Sequence, residues 1–189
     1  MSTARRLHFS YDEYLAVEER SEVKHEYCDG EIYAMAGGTP EHGALALRVV
    51  QVLGPKLAGC TPLSSDVRVH IQASGLTTYP DVSFVCGPLE RAAADGNAIT
   101  NPSVIVEVTS RSTEDYDRGE KLSHYKQLPS LRSALLVSHR ERRITLVERA
   151  ATGWSVTEHR PGETVTLTAP GGTAKLEVDR VYDVLAQLS

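Results

Sequence analysis

The chain predicts an α/β (α+β) fold, a mixed central β-sheet flanked by helices, and three observations carry that expectation. Val104-Ile105-Val106 is a short β-branched run bounded by Asn101-Pro102 and Thr109-Ser110, which reads as a strand covered on both faces. Segments with helical spacing interleave with segments of two-residue alternation through the middle of the chain, and that order packs helices onto a sheet. The length, 189 residues, suits one domain spanning residues 1–189 with a sizeable core.

Taken in order, Ser10 with Glu13 three residues later forms a capping box and opens a helix over about 11–19, with Tyr14, Leu15 and Val17 turned inward. Asp29-Gly30 between two partly alternating runs predicts a hairpin with strands near 24–28 and 31–36. Thr39-Pro40 starts a helix reaching about Leu57, in which Leu45, Val49, Val52 and Leu53 share one face. Residues 66–71 alternate and predict a half-buried strand, followed by a Ser74-Gly75 turn. The next strand lies in 77–85, and Pro80 places its proper start at Asp81. A polar loop over 87–100 leads to the strand at 103–109.

Ser112 with Asp115 marks a capped helix that carries Leu122, Tyr125 and Leu128 on its apolar stripe and stops at Pro129. Strands follow near 133–138, 143–149, 154–160 and 164–167, and a last helix over 179–187 turns Val181, Tyr182, Leu185 and Leu188 inward.

Composition narrows the function. No apolar run is long enough to span a bilayer, and no signal peptide is expected. A net charge of −5 argues against a non-specific nucleic-acid binder, yet leaves room for a nuclease, whose site is itself acidic. Cys28, Cys60 and Cys86, odd in number and widely spaced, predict reduced thiols in a cytosolic (cytoplasmic) protein. No pair of cysteines or histidines has structural zinc spacing, so zinc is set aside. Walker, dinucleotide and nucleophile-elbow motifs are absent.

The chemistry centres on Glu107. An acid in a buried strand is costly unless a cation pairs with it. Asp81, at the start of another strand, converges with Glu107 if the two strands are neighbours. Two converging carboxylates suit Mg²⁺ or Mn²⁺, which keeps several waters and takes phosphate oxygens. Lys121, in the following helix, then stabilises phosphoryl charge or positions water, and Glu26 on the first hairpin adds an oxygen ligand or orients a water. Each residue also has a plainer reading. Asp81 serves a strand start, Lys121 and Asp117 make a surface ion pair, Glu26 pairs with Lys24 or caps the hairpin, His42 sits on the surface, and Tyr125 is core.

Tyr79-Pro80-Asp81-Val82, Val104–Ser110 with Glu107, Asp117-Arg-Gly-Glu-Lys121 and Tyr125, together with the run from Glu26 to Met35 and His42, resemble the Uma-type bacterial endonuclease family of the PD-(D/E)XK superfamily. The resemblance covers about residues 10–185. It implies a restriction endonuclease-like fold and a metal-dependent DNA endonuclease. In that reading Asp81 and Glu107 bind Mg²⁺ or Mn²⁺, and Lys121 and Glu26 complete the catalytic set. The parent motif places its lysine two residues after the second acid, where this chain has Thr109; Lys121 fits a migrated lysine. Duplex cleavage would favour a homodimer. The alternatives are a catalytically inactive, dimeric nucleic-acid-binding or protein-interaction module of the same fold, and a hydrolase of small phosphoesters, which would have a closed pocket rather than a groove lined by Arg68, Arg111 and Arg118.

Overall fold

The computed structural model describes residues 8–110 and 113–188. Ser112, the expected cap of the third helix, and Arg111 lie outside them.

Helix α1 (Tyr11–Glu18) begins at the anticipated capping box: Ser10 and Glu13 exchange side-chain and backbone hydrogen bonds. Tyr14 is fully buried, whereas Val17 faces solvent rather than the core. Strands β1 (His25–Cys28) and β2 (Glu31–Ala34) pair antiparallel around Asp29-Gly30. Both turn residues have positive φ, 48° and 82°, the backbone that lets a two-residue loop follow the strand twist. Helix α2 (Pro40–Leu53) has Thr39 as its N-cap, and Leu45, Val49 and Leu53 are its buried face. It ends four residues before Leu57, because Gly54-Pro55-Lys56 tightens into a 3₁₀ turn.

Strand β3 (Cys60–Ser64), β4 (Arg68–Ile71), β5 (Leu76–Thr78) and β6 (Val82–Cys86) follow. The stretch expected as one strand over 77–85 is therefore two, broken at Tyr79-Pro80-Asp81 and belonging to different sheets. The loop at 87–100 holds a short strand, β7 (Ala98–Ile99), which pairs parallel with β4. Strand β8 (Val104–Thr109) is buried at every position.

The third helix is not regular. One turn, α3 (Glu114–Tyr116), leads into a π-helical turn over Asp117–Lys121 and then α4 (Leu122–Tyr125). Strands β9 (Ser133–Ser138), β10 (Ile144–Arg149), β11 (Trp154–His159), β12 (Thr164–Ala169) and β13 (Gly172–Glu177) precede α5 (Val178–Tyr182). A 3₁₀ turn over Asp183–Gln187 replaces the rest of the expected last helix, and Leu188 is exposed.

Among the described residues the strands form two sheets and a hairpin rather than one central sheet. The larger has the order β11-β10-β9-β8-β6-β3 and is mixed, since β8 and β9 run parallel and the other neighbours antiparallel. The second has the order β2-β1-β5-β4-β7, and β12-β13 stand apart as a pair. Val104, Val106 and Val108 of β8 face α2, β12, β13 and α5 in one core. Ile105 faces the other way, onto the second sheet and onto Tyr125, Leu128 and Leu131. Glu107 shares the Ile105 face by strand alternation.

Cys60 and Cys86 are directly opposite each other in the β3–β6 ladder and form a disulfide. This corrects the expectation of reduced thiols: sequence spacing carries no information about which cysteines the ladder sets face to face. Cys28 is the one free cysteine.

Candidate active site

Strand pairing brings the site together. In the antiparallel β6–β8 ladder Val82 is opposite Val106, so one step further Asp81 stands across from Glu107, on the same sheet face. Asp81 Oδ2 also accepts a hydrogen bond from the Val108 amide at 2.7 Å. The turn at Pro80 thus ends one strand and aims a carboxylate at the end of its neighbour.

The π turn supplies the cation. Lys121 Nζ lies 2.9 Å from Glu107 Oε1, 3.1 Å from Glu26 Oε1 and 3.8 Å from Asp117 Oδ1. Glu26 comes from β1, so the second sheet delivers one acid and the first sheet two. Tyr125 donates its hydroxyl hydrogen bond to Glu107, and Thr78 and Tyr116 donate to Glu26. His42, at the start of α2, places Nε2 3.4 Å from Asp81 Oδ2. The fold therefore gathers Glu26, Asp81, Glu107 and Lys121 in one place. It adds Asp117, which the plainer reading had left in a surface ion pair; Asp117 and Lys121 are both buried. Glu26 touches Lys121 rather than Lys24, whose partner is Asp66.

The charges do not balance. Four carboxylates surround a single ammonium, and burial opposes every one of those charges. Burial pushes the Glu107 carboxyl up to about 8 against the pull of Lys121, with Asp81 and Asp117 adding to the rise. Burial likewise raises Asp81, opposed by His42, and raises Asp117, opposed by Lys121. Burial alone would lower the Lys121 ammonium, but Glu107 and the groups around it raise it well above its ordinary value. Thr109, on the Glu107 face and in the position of the parent motif's lysine, has a buried hydroxyl with no hydrogen-bond partner among the described residues.

Excess negative charge, a set of carboxylate oxygens and an orphaned hydroxyl fit a hard divalent cation with waters attached. A soft metal fits less well, because among the described residues no sulfur joins the Lys121 cluster and its one ring nitrogen, His42 Nε2, lies beside Asp81 rather than Glu107. The arginines expected in a groove behave differently. Arg68 is buried and bound to Asp95, and Arg118 pairs with Glu114 at 3.0 Å.

Residues 11–178 match the model of the Uma2 family, described as "Putative restriction endonuclease". The chain belongs to this family. A Synechocystis protein, slr1290, is 38% identical over 180 residues, covering 94% of this chain and 93% of its own length. A second Synechocystis protein, sll1609, is 32% identical over 127 residues, 66% of this chain and 72% of its own. Both are described as uncharacterized. The fold matches the crystal structure of "a putative nuclease belonging to DUF820" from Anabaena variabilis, with a TM-score of 0.70 and 17% identity over 92% of this chain and 97% of that one. The architecture of the Uma2 chain is thus restriction endonuclease-like, and its family is one of nuclease-like proteins. Among the described residues no helix is long and apolar enough to cross a membrane.

Helical spacing pairs Asp117 with Lys121, but it carries no sign that the pair is buried against the sheet rather than exposed. The π turn spans the stretch that carries both Asp117 and Lys121, and π turns recur at functional sites. Gly119, at the centre of that turn, is the only local hint.

Proposed function

We propose that this protein is a divalent-metal-dependent endonuclease that hydrolyses phosphodiester bonds in DNA. The observation that carries the reading is the burial of Glu107 and Lys121 among Glu26, Asp81 and Asp117, an acid-rich cluster at the ends of two paired strands. A fold does not keep unbalanced carboxylates buried for stability alone. Asp81 and Glu107 would hold Mg²⁺ or Mn²⁺, with Asp117 near enough in charge to contribute. When bound, such an ion stabilises charge on a phosphoryl oxygen and acidifies a water.

The chain's own residues do the rest. Lys121, held protonated by its carboxylate neighbours, stabilises the extra negative charge that builds on the phosphate oxygens. Tyr125 fixes the Glu107 carboxylate through its hydroxyl. Glu26, oriented by Thr78 and Tyr116, is placed to accept the proton of the attacking water. His42 holds Asp81 on its outer side. In a two-fold dimer each subunit would cut one strand. The β11 edge of the larger sheet, where Val156 is 58% exposed, is the candidate seam, and light scattering of the purified protein tests it.

Plasmid cleavage with Mg²⁺ or Mn²⁺ tests the function. Nicking or linearisation by the wild type that is lost in Asp81→Ala and Glu107→Gln supports it. Cleavage equal in all three would show a contaminant. No cleavage across varied DNA and metal, with no Mn²⁺ uptake by calorimetry, would leave a non-catalytic member of the fold.

A further inference from the structure

Outside the Lys121 cluster, one set of side chains has the composition of a different metal site. Cys28 closes β1. Glu120 lies in the π turn and His124 in α4, one helical turn apart on the same side. One ligand atom from each of these three lies within 4.8 Å of the others. Zinc held by sulfur, nitrogen and oxygen at about 2.0–2.3 Å needs its ligands roughly 3.3–3.8 Å apart, so side-chain rotations of about an ångström would close the set. His124 contributes a second observation. Its Nδ1 is buried without a hydrogen-bond partner among the described residues, and its Nε2 lies 4.0 Å from Glu120 Oε1. A ring nitrogen that is shut away from water and unsatisfied wants a donor or a cation.

We propose that Cys28, Glu120 and His124 form a second metal site, for zinc or a similar borderline-soft divalent ion, separate from the acidic cluster. Ligand chemistry separates the two. A thiolate and an imidazole select zinc over Mg²⁺, while the all-carboxylate cluster selects the reverse. Three protein ligands leave a fourth position for water, and the 67% exposed side chain of Glu120 gives the ion a path from solvent. Binding requires the Cys28 thiol to release its proton to solvent as the sulfur–metal bond forms. Cys28 is two residues beyond Glu26, and Glu120 immediately precedes Lys121. An ion here would therefore brace the first hairpin against the helix that delivers the lysine. Sequence spacing hid the set, because Cys28 is far along the chain from the other two ligands.

The test is titration of the full-length protein with Co²⁺, without reductant, so that Cys60 and Cys86 stay joined. We expect one equivalent to bind with a near-ultraviolet thiolate-to-cobalt charge-transfer band, which zinc then displaces. The band should persist in Glu107→Gln, which alters only the acidic cluster. It should vanish in Cys28→Ser, and His124→Gln should weaken binding about 10-fold or more, with circular dichroism confirming that both variants fold. Zinc should also raise the Tm of the wild type but not of Cys28→Ser. Absence of the band in folded wild type, or a band of unchanged affinity in His124→Gln, would overturn the proposal. Both readouts are independent of DNA cleavage, so a protein that cuts nothing could still pass.

Discussion

Two groups of buried charge in this molecule follow opposite plans. Arg68 and Asp95 meet one to one: Nε and one terminal nitrogen of the guanidinium each lie 2.8 Å from a different carboxylate oxygen, and Tyr79 takes a third contact at 3.1 Å. Burial would raise Asp95, but Arg68 and the Asn97 amide overcome it and hold the carboxyl below its ordinary value. Around Lys121 one cation faces several acids, and burial wins, so Glu107, Asp81 and Asp117 are all raised. The same desolvation thus yields a locked pair in one place and strained ionisation in the other. Matched charge with matched shape is architecture, whereas a deficit of positive charge leaves room for a cation from outside.

The sharpest way to break this contrast is to remove one partner from each group. Asp95→Ala should cost about 3–5 kcal/mol, because it strands a buried guanidinium; urea unfolding measures it, and cleavage per folded molecule should not change. Lys121→Met should strike activity and stability together. We expect cleavage to fall about 10²–10³-fold, as for loss of one charge-stabilising group, and the midpoint of unfolding in EDTA to fall as well, because the buried carboxylates lose their one cation, a loss that Mg²⁺ should partly restore. If Lys121→Met left cleavage unchanged and Asp95→Ala abolished it in folded protein, the two assignments would be exchanged.

Acidity separates the groups more gently. Glu107 is raised on folding from 4.5 to about 8. Its stabilisation is therefore complete below its unfolded value and lost as pH climbs through its folded one. In EDTA, Tm should fall by a few degrees between about pH 5 and pH 8, and Glu107→Gln should flatten that slope. Asp95, lowered from 3.8, stabilises above its unfolded value and fails only as pH drops below it, so Asp95 variants should differ from wild type least in strong acid. Ser10→Ala gives the smallest change and the baseline. Loss of the α1 cap should cost about 1 kcal/mol and alter neither pH slope, as differential scanning calorimetry across the same buffers would show.

Local signals were legible where the cause is local. The Ser10–Glu13 box, the Asp29-Gly30 turn, the Thr39-Pro40 start and the β-branched run of β8 all depend on neighbours in sequence, and all appear in place. The proximity of Glu26, Glu107 and Lys121 follows from sheet order, which residue types only suggested. What stayed hidden is non-local. Strand β3 carries Pro62 and no clear alternation; its pairing with β6 defines it, and proline is tolerated at that edge. Strand β13, rich in small residues, is likewise defined by β12. The Cys60–Cys86 bond follows from the β3–β6 ladder, and the burial of Arg68 follows from Asp95 in a loop that looked merely polar.

The π turn makes chain length at one point a functional variable. A regular helix advances about 100° per residue, so removing Gly119 would relax the widened turn and swing Lys121 away from the strands, with no change in the chemical character of any remaining side chain. The acids would keep their places while the ammonium pointed elsewhere. A scan of substitutions would never uncover this dependence, whereas a single-residue deletion would.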